Sequence, residues 1–487
     1  MEKNKSVVDL EQRKVVDPRD PKLRDLFKNV QGNILKGHGR EHSLHIFLKF
    51  RDSNSKALRA SLKSISIGSS GIITSALQQA TETAQYRLYE IPGGLFGGIY
   101  LSRTGYEKLG FAKTEIEKEF EDKPLNLGPG LNVVSNFLDG MKKNIESLGD
   151  PPVDTWELGY QGDIDAVVLI ADDDESFLLR KGRSLITEIE TFAHVTAVER
   201  GSVLRNAEEE GIEHFGYVDG RSQPIFLSDD LADEGPVDVW NPVEPLKIVL
   251  VPDKFVDTPN AFGSFVVFRK LEQDVLHFKV KEIELADKLG LTEADRERAG
   301  AMSVGRFEDG TPLVKSSTDG FTPPKENNFL YGNDPKGNKC PFHAHIRKTN
   351  PRDEGFGGEG TTPLEENRKR RIVRRGIPFG KRELHPHFTQ SIEQLPTKGV
   401  GLLFMCFQAS IVQQFAFMQQ VWVNNEGFVK GEVGIDPIIG QRQNIIEQQF
   451  NPEWGADRRQ PFKFESFVKM KGGEYFFAPS IPFFENL

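Results

Sequence analysis

Apolar residues run through "SLHIFLKF" (43–50) in the manner of a strand, and "SKALRASLKSI" after it repeats them at helical spacing. The same order recurs in "GIYLS" (98–102) followed by the helical "RTGYEKLG". It recurs again in "DAVVLIAD" (165–172) and "ESFLLRKGRSLITEIETF", whose apolar residues fall at i, i+3, i+4. "TAVERGSVLR" then returns as a strand, so the first half reads strand–helix–strand twice. The second half repeats that grammar. "SFVVFRKLEQDVLHFKVKEIELADKLG" runs from strand into helix, and "GVGLLFMCFQASIVQQFAFMQQVWVNN" (399–425) does the same. There is no letter-for-letter repeat. The pattern predicts an α+β protein of two halves, each a sheet covered on one face by helices, with the sheets packed as a sandwich or barrel-like core.

The pattern also marks what lies outside the halves. The first ~25 residues are polar and read as an arm. Residues 300–398 are rich in Gly, Pro, Asn and charge, and a loop region of that length is usually functional or disordered. It holds four of the ten histidines; His385 and His387, flanking Pro386, read as plain loop. The chain is therefore divided into an arm (1–26), an N-terminal domain (27–225) and a C-terminal domain (226–487) with loop insertions at about 300–398.

Composition narrows the function. A net charge of −10 and a pI near 5.7 argue against nucleic-acid binding. The two cysteines, Cys340 and Cys406, exclude a disulfide framework and a four-cysteine zinc site. The N-terminus has no apolar signal region, and no apolar run approaches the ~20 residues that span a bilayer. The expectation is a cytoplasmic protein without a membrane segment, with export by a route not visible in the sequence left open. The 36 Phe, against 8 Tyr and 4 Trp, suit a large apolar cavity as well as plain core packing.

Three segments carry candidate chemistry. "FGYVDGRSQP" (215–224) places Asp219 and Arg221 inside a tight turn. An Asp-Gly turn accounts for Asp219 by itself, so its role stays open here. "CPFHAHIRKTNPR" (340–352) holds His343 and His345. On a strand they would share a face; Pro341 and the residues after it favour a short helix, on which only one of them points at a given site. "NRKRRIVRRGIPFG" (367–380) has six basic residues in its first nine and ends in a shaped turn, which suits a fixed anion better than a diffuse polyanion. No His-Glu-x-x-His cluster is present for a zinc hydrolase. A haem needs one axial His, arginines for its propionates and an apolar cavity, and that fits better.

"FGYVDGRSQP" contains Gly-x-x-Asp-Gly (216–220). Together with "VQGNILKGHGREH" (30–42), "MSVGRFEDGTPL" (302–313), "CPFHAHIRKTNPR" and "VRRGIPFG", in that family's order, it resembles the dye-decolorising peroxidases, in particular the larger subgroups with insertions. The resemblance implies two ferredoxin-like domains, antiparallel sheets with covering helices, enclosing a pocket for one haem b. It implies Asp219 as the distal carboxylate and Arg374 as the distal arginine, with Arg375 the competing choice. It implies His345 as the iron ligand, while His343 stands where the family more often has a small or apolar residue. It further implies Arg347 and Arg352 as propionate partners, Leu402 and Phe404 over the haem, and Asp436 as the carboxylate behind the axial His.

The activity it implies is oxidation of bulky aromatic donors such as dyes and phenolics by hydrogen peroxide, in one-electron steps. Electrons would hop through a surface Tyr or Trp, the tryptophans being Trp156, Trp240, Trp422 and Trp454, of which Trp422 reads as core. Two other readings stay open: a haem-binding or haem-handling protein with incidental peroxidase activity, and a cofactor-free anion-binding α+β module. A homo-oligomer is left open.

Overall fold

The long apolar runs become strands that are buried on both faces. The computed structural model describes residues 8–52, 54–68, 71–127, 132–292, 295–320, 326–355, 361–382, 392–441 and 446–487; His385 and His387 lie outside them. One ten-stranded sheet dominates. In chain order its strands are β1 (His42–Phe50), β2 (Phe96–Leu101), β3 (Ala166–Asp172), β4 (Ala193–Ser202), β5 (Val251–Pro252), β6 (Phe262–Gln273), β7 (Val373–Arg374), β8 (Ile377–Phe379), β9 (Gly401–Gln408) and β10 (Val468–Ala478). The spatial order is β7-β9-β8-β4-β1-β3-β2-β10-β6-β5, and β9 also pairs with β6.

That extra pairing closes the sheet into a barrel. β7 and β8 follow one another along one edge of β9, and β6 takes the other edge. The first half contributes β4-β1-β3-β2, and the second contributes β7/β8-β9-β6-β10, the same ferredoxin-like order in each. The halves join at two narrow seams, Phe379 against Gly201 and Phe477 against Leu101. All these neighbouring pairs are antiparallel.

Inside the barrel, residues alternating on facing strands interlock. The Phe47 and Phe268 rings are 4.7 Å apart, and Phe476 lies 6.4 Å from Phe47. Outside, α-helices cover the first half's strands. The helix Glu175–Ile189 starts where Asp174 accepts the Phe177 amide, and it buries Leu178, Gly182, Leu185 and Ile189 on one stripe. Gly182 lets the helix pack close, since a Cβ would stand 2.4 Å from Leu44 Cδ1 and push that side chain aside.

Two elements left little trace in the pattern. The helix Ala76–Tyr89 buries only Ala76 and Gln79, so it shows no apolar stripe. β10 carries two glycines and several charges in "VKMKGGEYFFA". The first described residues pack against the segment joining the halves: Val16 is buried, and its amide donates to Phe226 O at 2.8 Å.

Phe268 is fully buried at the centre of the barrel. Phe268→Ala should therefore cost about 3–5 kcal/mol by leaving a cavity. Chemical denaturation of the purified protein measures this, and a loss below ~1 kcal/mol would mean the interior repacks freely.

Candidate active site

The strands of the second half have two faces with different duties. Phe268 and Lys270 turn into the barrel, while Arg269, Leu271 and Gln273 turn outward. On β9, Leu402 and Phe404 stand opposite Leu271 and Arg269 in the register and share that outer face. All five line a cavity of about 1710 Å³, counting its open mouth. Its other walls are the turn around Asp219, the segment Arg371–Arg374, the short helix His345–Thr349, the loop after Asp436, and the segments Ile411–Ala416 and Met418–Val423, wound wider than an α-helix. The cavity thus sits on the outside of one half-sheet, closed over by connections, rather than in the seam between the halves.

Asp219 ends a small hairpin. Ile212 bridges Val218, and the Asp219 amide donates to Gly211 O at 3.0 Å. Gly216 and Gly220 take φ of 104° and 79°, the left-handed region that lets the backbone turn so sharply. Asp219 Oδ1 accepts from the Gly220 amide at 2.6 Å and from Arg374 Nη1 at 3.0 Å. Oδ2 makes no hydrogen bond among the described residues. The turn role and the arginine pairing coexist on one oxygen, leaving the other open. Arg374 is braced by Arg221 O at 2.6 Å and Gln223 Oε1 at 3.1 Å. Arg375 turns away, donating to Asn33 O at 2.8 Å, and does not line the cavity.

His345 opens its helix and lines the cavity, with Nδ1 2.8 Å from Asp436 Oδ2. Asp436 is buried, and its Oδ1 accepts the Ile438 and Ile439 amides at 2.8 and 3.0 Å. Burial pushes the Asp436 pKa up, but His345 and the two amides outweigh it and hold it below the usual carboxylate range. His343 does not line the cavity. It is buried against the Phe450 ring, 4.6 Å away, and burial pushes its pKa down to about 3, so it is neutral.

The two arginines expected to meet propionates part company. Arg347 is a correction: it is fully buried off the cavity, held by Glu354 at 2.6 and 2.7 Å and by Asp334 at 2.8 Å. On a helix, residues two apart point to nearly opposite sides, so Arg347 cannot share a face with His345. Arg352 does line the cavity. It donates to Asn327 O at 2.6 Å and Ser222 Oγ at 3.1 Å, and stacks 3.7 Å over Phe329.

Arg306 joins Arg352, and the sequence reading passed it over. It lines the cavity and donates to Gly310 O at 2.7 Å and Asn327 Oδ1 at 2.6 Å. Its place directly after a helix-ending glycine in "MSVGRFEDG" was the one available signal. Burial pushes Arg306 down to about 10 and Arg352 to about 9, and the two cations oppose each other. Neither makes an ion pair among the described residues, whereas the cavity arginines Arg269 and Arg371 pair with Asp150 and Glu244. Two buried, unpaired guanidinium groups in one wall suit a ligand with carboxylates.

Of the eight tyrosines only Tyr86 and Tyr89 are exposed, at 59% and 70%; Trp156, Trp240 and Trp422 are buried. Among the described residues no group of three or more His, Cys, Asp or Glu is placed to hold a metal ion, and no helix is long and apolar enough to cross a membrane.

Comparison with known proteins agrees with this fold. Residues 29–203 match the family model "DyP dimeric alpha+beta barrel domain", and residues 246–430 match "Dyp-type peroxidase, C-terminal". The multifunctional dye peroxidase DyP2 of Amycolatopsis sp. is 42% identical over 479 residues, 95% of this chain and 96% of that protein. The chain belongs to the dye-decolorising peroxidase family. A DyP-type peroxidase from Anabaena sp. superposes with a TM-score of 0.88 at 39% identity, covering 99% of both chains. The fungal enzyme of Auricularia auricula-judae gives 0.71 at 27% identity, covering 94% of this chain and 98% of its own.

The two arginines should differ in what they do for this peroxidase. Arg347→Met leaves Glu354 and Asp334 buried without their cation and should cost about 3–5 kcal/mol of stability. Arg352→Met removes a cation with no carboxylate partner and should cost less. Equilibrium denaturation of both variants measures the difference; the reverse order would contradict the pairing.

Proposed function

We propose that this peroxidase holds one haem b in the cavity, with His345 Nε2 on the iron and Asp219 as the group that moves the peroxide proton. The observation that carries the reading is that one cavity presents an Asp–Arg pair, an Asp–His pair and two buried arginines lacking carboxylates. A cofactor-free anion site would account for the arginines but not for Asp436 behind His345. Peroxidases of this family are haem proteins, and their reaction takes hydrogen peroxide and a reductant.

Arg306 and Arg352 would take the two propionates, which supply the anions those cations lack. Asp436 would hold the His345 ring in the tautomer that leaves Nε2 free, and its charge would make the ring a stronger donor. Held there, the haem would supply iron-centred redox chemistry towards hydrogen peroxide, with aromatic donors such as dyes giving up the electrons one at a time. Asp219 Oδ2 accepts the proton of the near peroxide oxygen and returns it to the far one, which leaves as water. Arg374 stabilises negative charge as it develops on that leaving oxygen. Leu402 and Phe404 keep the wall beside this pair apolar. The division of the chain at about residue 225 is part of the same proposal, supported by family matches that stop at 203 and resume at 246.

His345→Ala should lose haem, whereas His343→Ala, with its ring off the cavity, should retain it. Haem titration followed by absorption separates them; equal loss would refute the ligand assignment. The decisive variant is Asp219→Asn, which keeps the turn's hydrogen bonding but cannot take a proton. Haem should stay, and stopped-flow should show the peroxide step slowed by ~10²–10⁴. An unchanged rate returns Asp219 to the role of a turn residue.

A further inference from the structure

Glu213 belongs to none of the motifs, yet it lines the cavity beside the turn that presents Asp219. Its carboxylate lies inside that turn. Oε2 accepts the Phe215 amide at 2.8 Å, and Oε1 accepts the Tyr217 amide at 3.0 Å. The backbone closes the same loop: the Glu213 amide donates to Tyr217 O at 3.1 Å, and the Gly216 amide to Glu213 O at 3.0 Å. From β6, Gln273 Nε2 donates to Oε2 and ties the turn to the cavity's sheet wall. One residue beyond Tyr217, Val218 bridges back to Ile212, and Asp219 follows.

We propose that Glu213 is a positioning residue for the peroxide reaction: its carboxylate clamps the Glu213–Tyr217 turn from within and so fixes the direction in which Asp219 presents Oδ2. The effect on rate rests on Asp219 being the proton acceptor; the clamping of the turn does not.

The chemistry of the clamp is specific to a carboxylate. Both oxygens already accept, so an amide in place of the carboxylate sets its NH2 donor against the Phe215 or the Tyr217 amide. Burial is the main cause that pushes the Glu213 pKa up, to about 7; the two amides and Gln273 oppose it, and the Asp219 charge adds to it. Among the described residues, Arg382 also faces Glu213, and it donates to the neighbouring His214 O at 3.0 Å. The sign follows from the raised value. Between the ordinary carboxylate range and about pH 7 the folded protein keeps a proton that the unfolded chain has lost, so ionising Glu213 costs the fold stability as pH rises. Opening the turn returns Glu213 to the ordinary carboxylate range, so the closed turn is held most firmly at low pH and loses protection as pH rises towards about 7.

Amide hydrogen exchange and peroxide kinetics on the haem-loaded protein test this together. In Glu213→Gln, peptides covering 213–219 should exchange about ten-fold faster, and the second-order peroxide step should slow by about ten-fold, as loss of one hydrogen bond implies. Saturation by the aromatic donor should not change. In the wild type, protection of these peptides, corrected for intrinsic exchange, should fall as pH rises towards about 7; in the variant it should stay flat. Unchanged exchange in the variant overturns the proposal, and so does a slowed peroxide step with unchanged exchange, which would put Glu213 on the reacting atoms themselves. If the variant does not fold, flat wild-type protection between pH 5 and 8 overturns it. Faster exchange with an unaltered peroxide rate would instead count against Asp219 as the proton acceptor.

Discussion

The structure depends on β9 being paired along both edges. On one side it meets β6 over eight residue pairs, and on the other it takes β8 and then β7. This closes the barrel, which removes the sheet's open edges there. It also sets the site. Leu402 and Phe404 are the outward positions of the same strand, and Arg374 is paired with Cys406 in β7. A slip of one residue would turn Leu402 and Phe404 inward and move Arg374 off Asp219. The closed barrel and the placement of Arg374 are thus two results of one register.

The second organising feature is charge. Buried guanidinium groups are costly unless an anion or polar shell repays the desolvation. Arg347 and Arg269 are repaid by carboxylates within the fold. Arg306 and Arg352 are given only carbonyls, Asn327, Ser222 and an aromatic face. The protein has left two positive charges open towards one cavity. That asymmetry, more than any motif, separates the charges that hold the fold together from those that face the cavity.

Much of this was legible in the sequence. Strands with continuous apolar runs, such as "DAVVLIAD", and helices with one apolar stripe announced the two halves. A barrel was one of the two packings expected, and the sequence did not choose between them, because edge pairing between distant strands leaves no local pattern. At the site, the short helix predicted after Pro341 begins only at His345, and His343 sits in the turn before it, so the two histidines are separated but not by helical spacing. The same spacing argument, carried two residues further, would have removed Arg347 from the cavity; the family resemblance was followed there instead. Arg306 and Glu213 were missed because their meaning lies in what surrounds them, an absent carboxylate in one case and two converging amides in the other.

The most direct test of the account is a crystal structure of the haem-loaded protein. The account requires the iron on His345 Nε2, the haem carboxylates on Arg306 and Arg352, and Asp219 Oδ2 with Arg374 facing the iron's free side. Iron bound by His343, or propionates directed away while Arg306 and Arg352 stay unpaired, would contradict it.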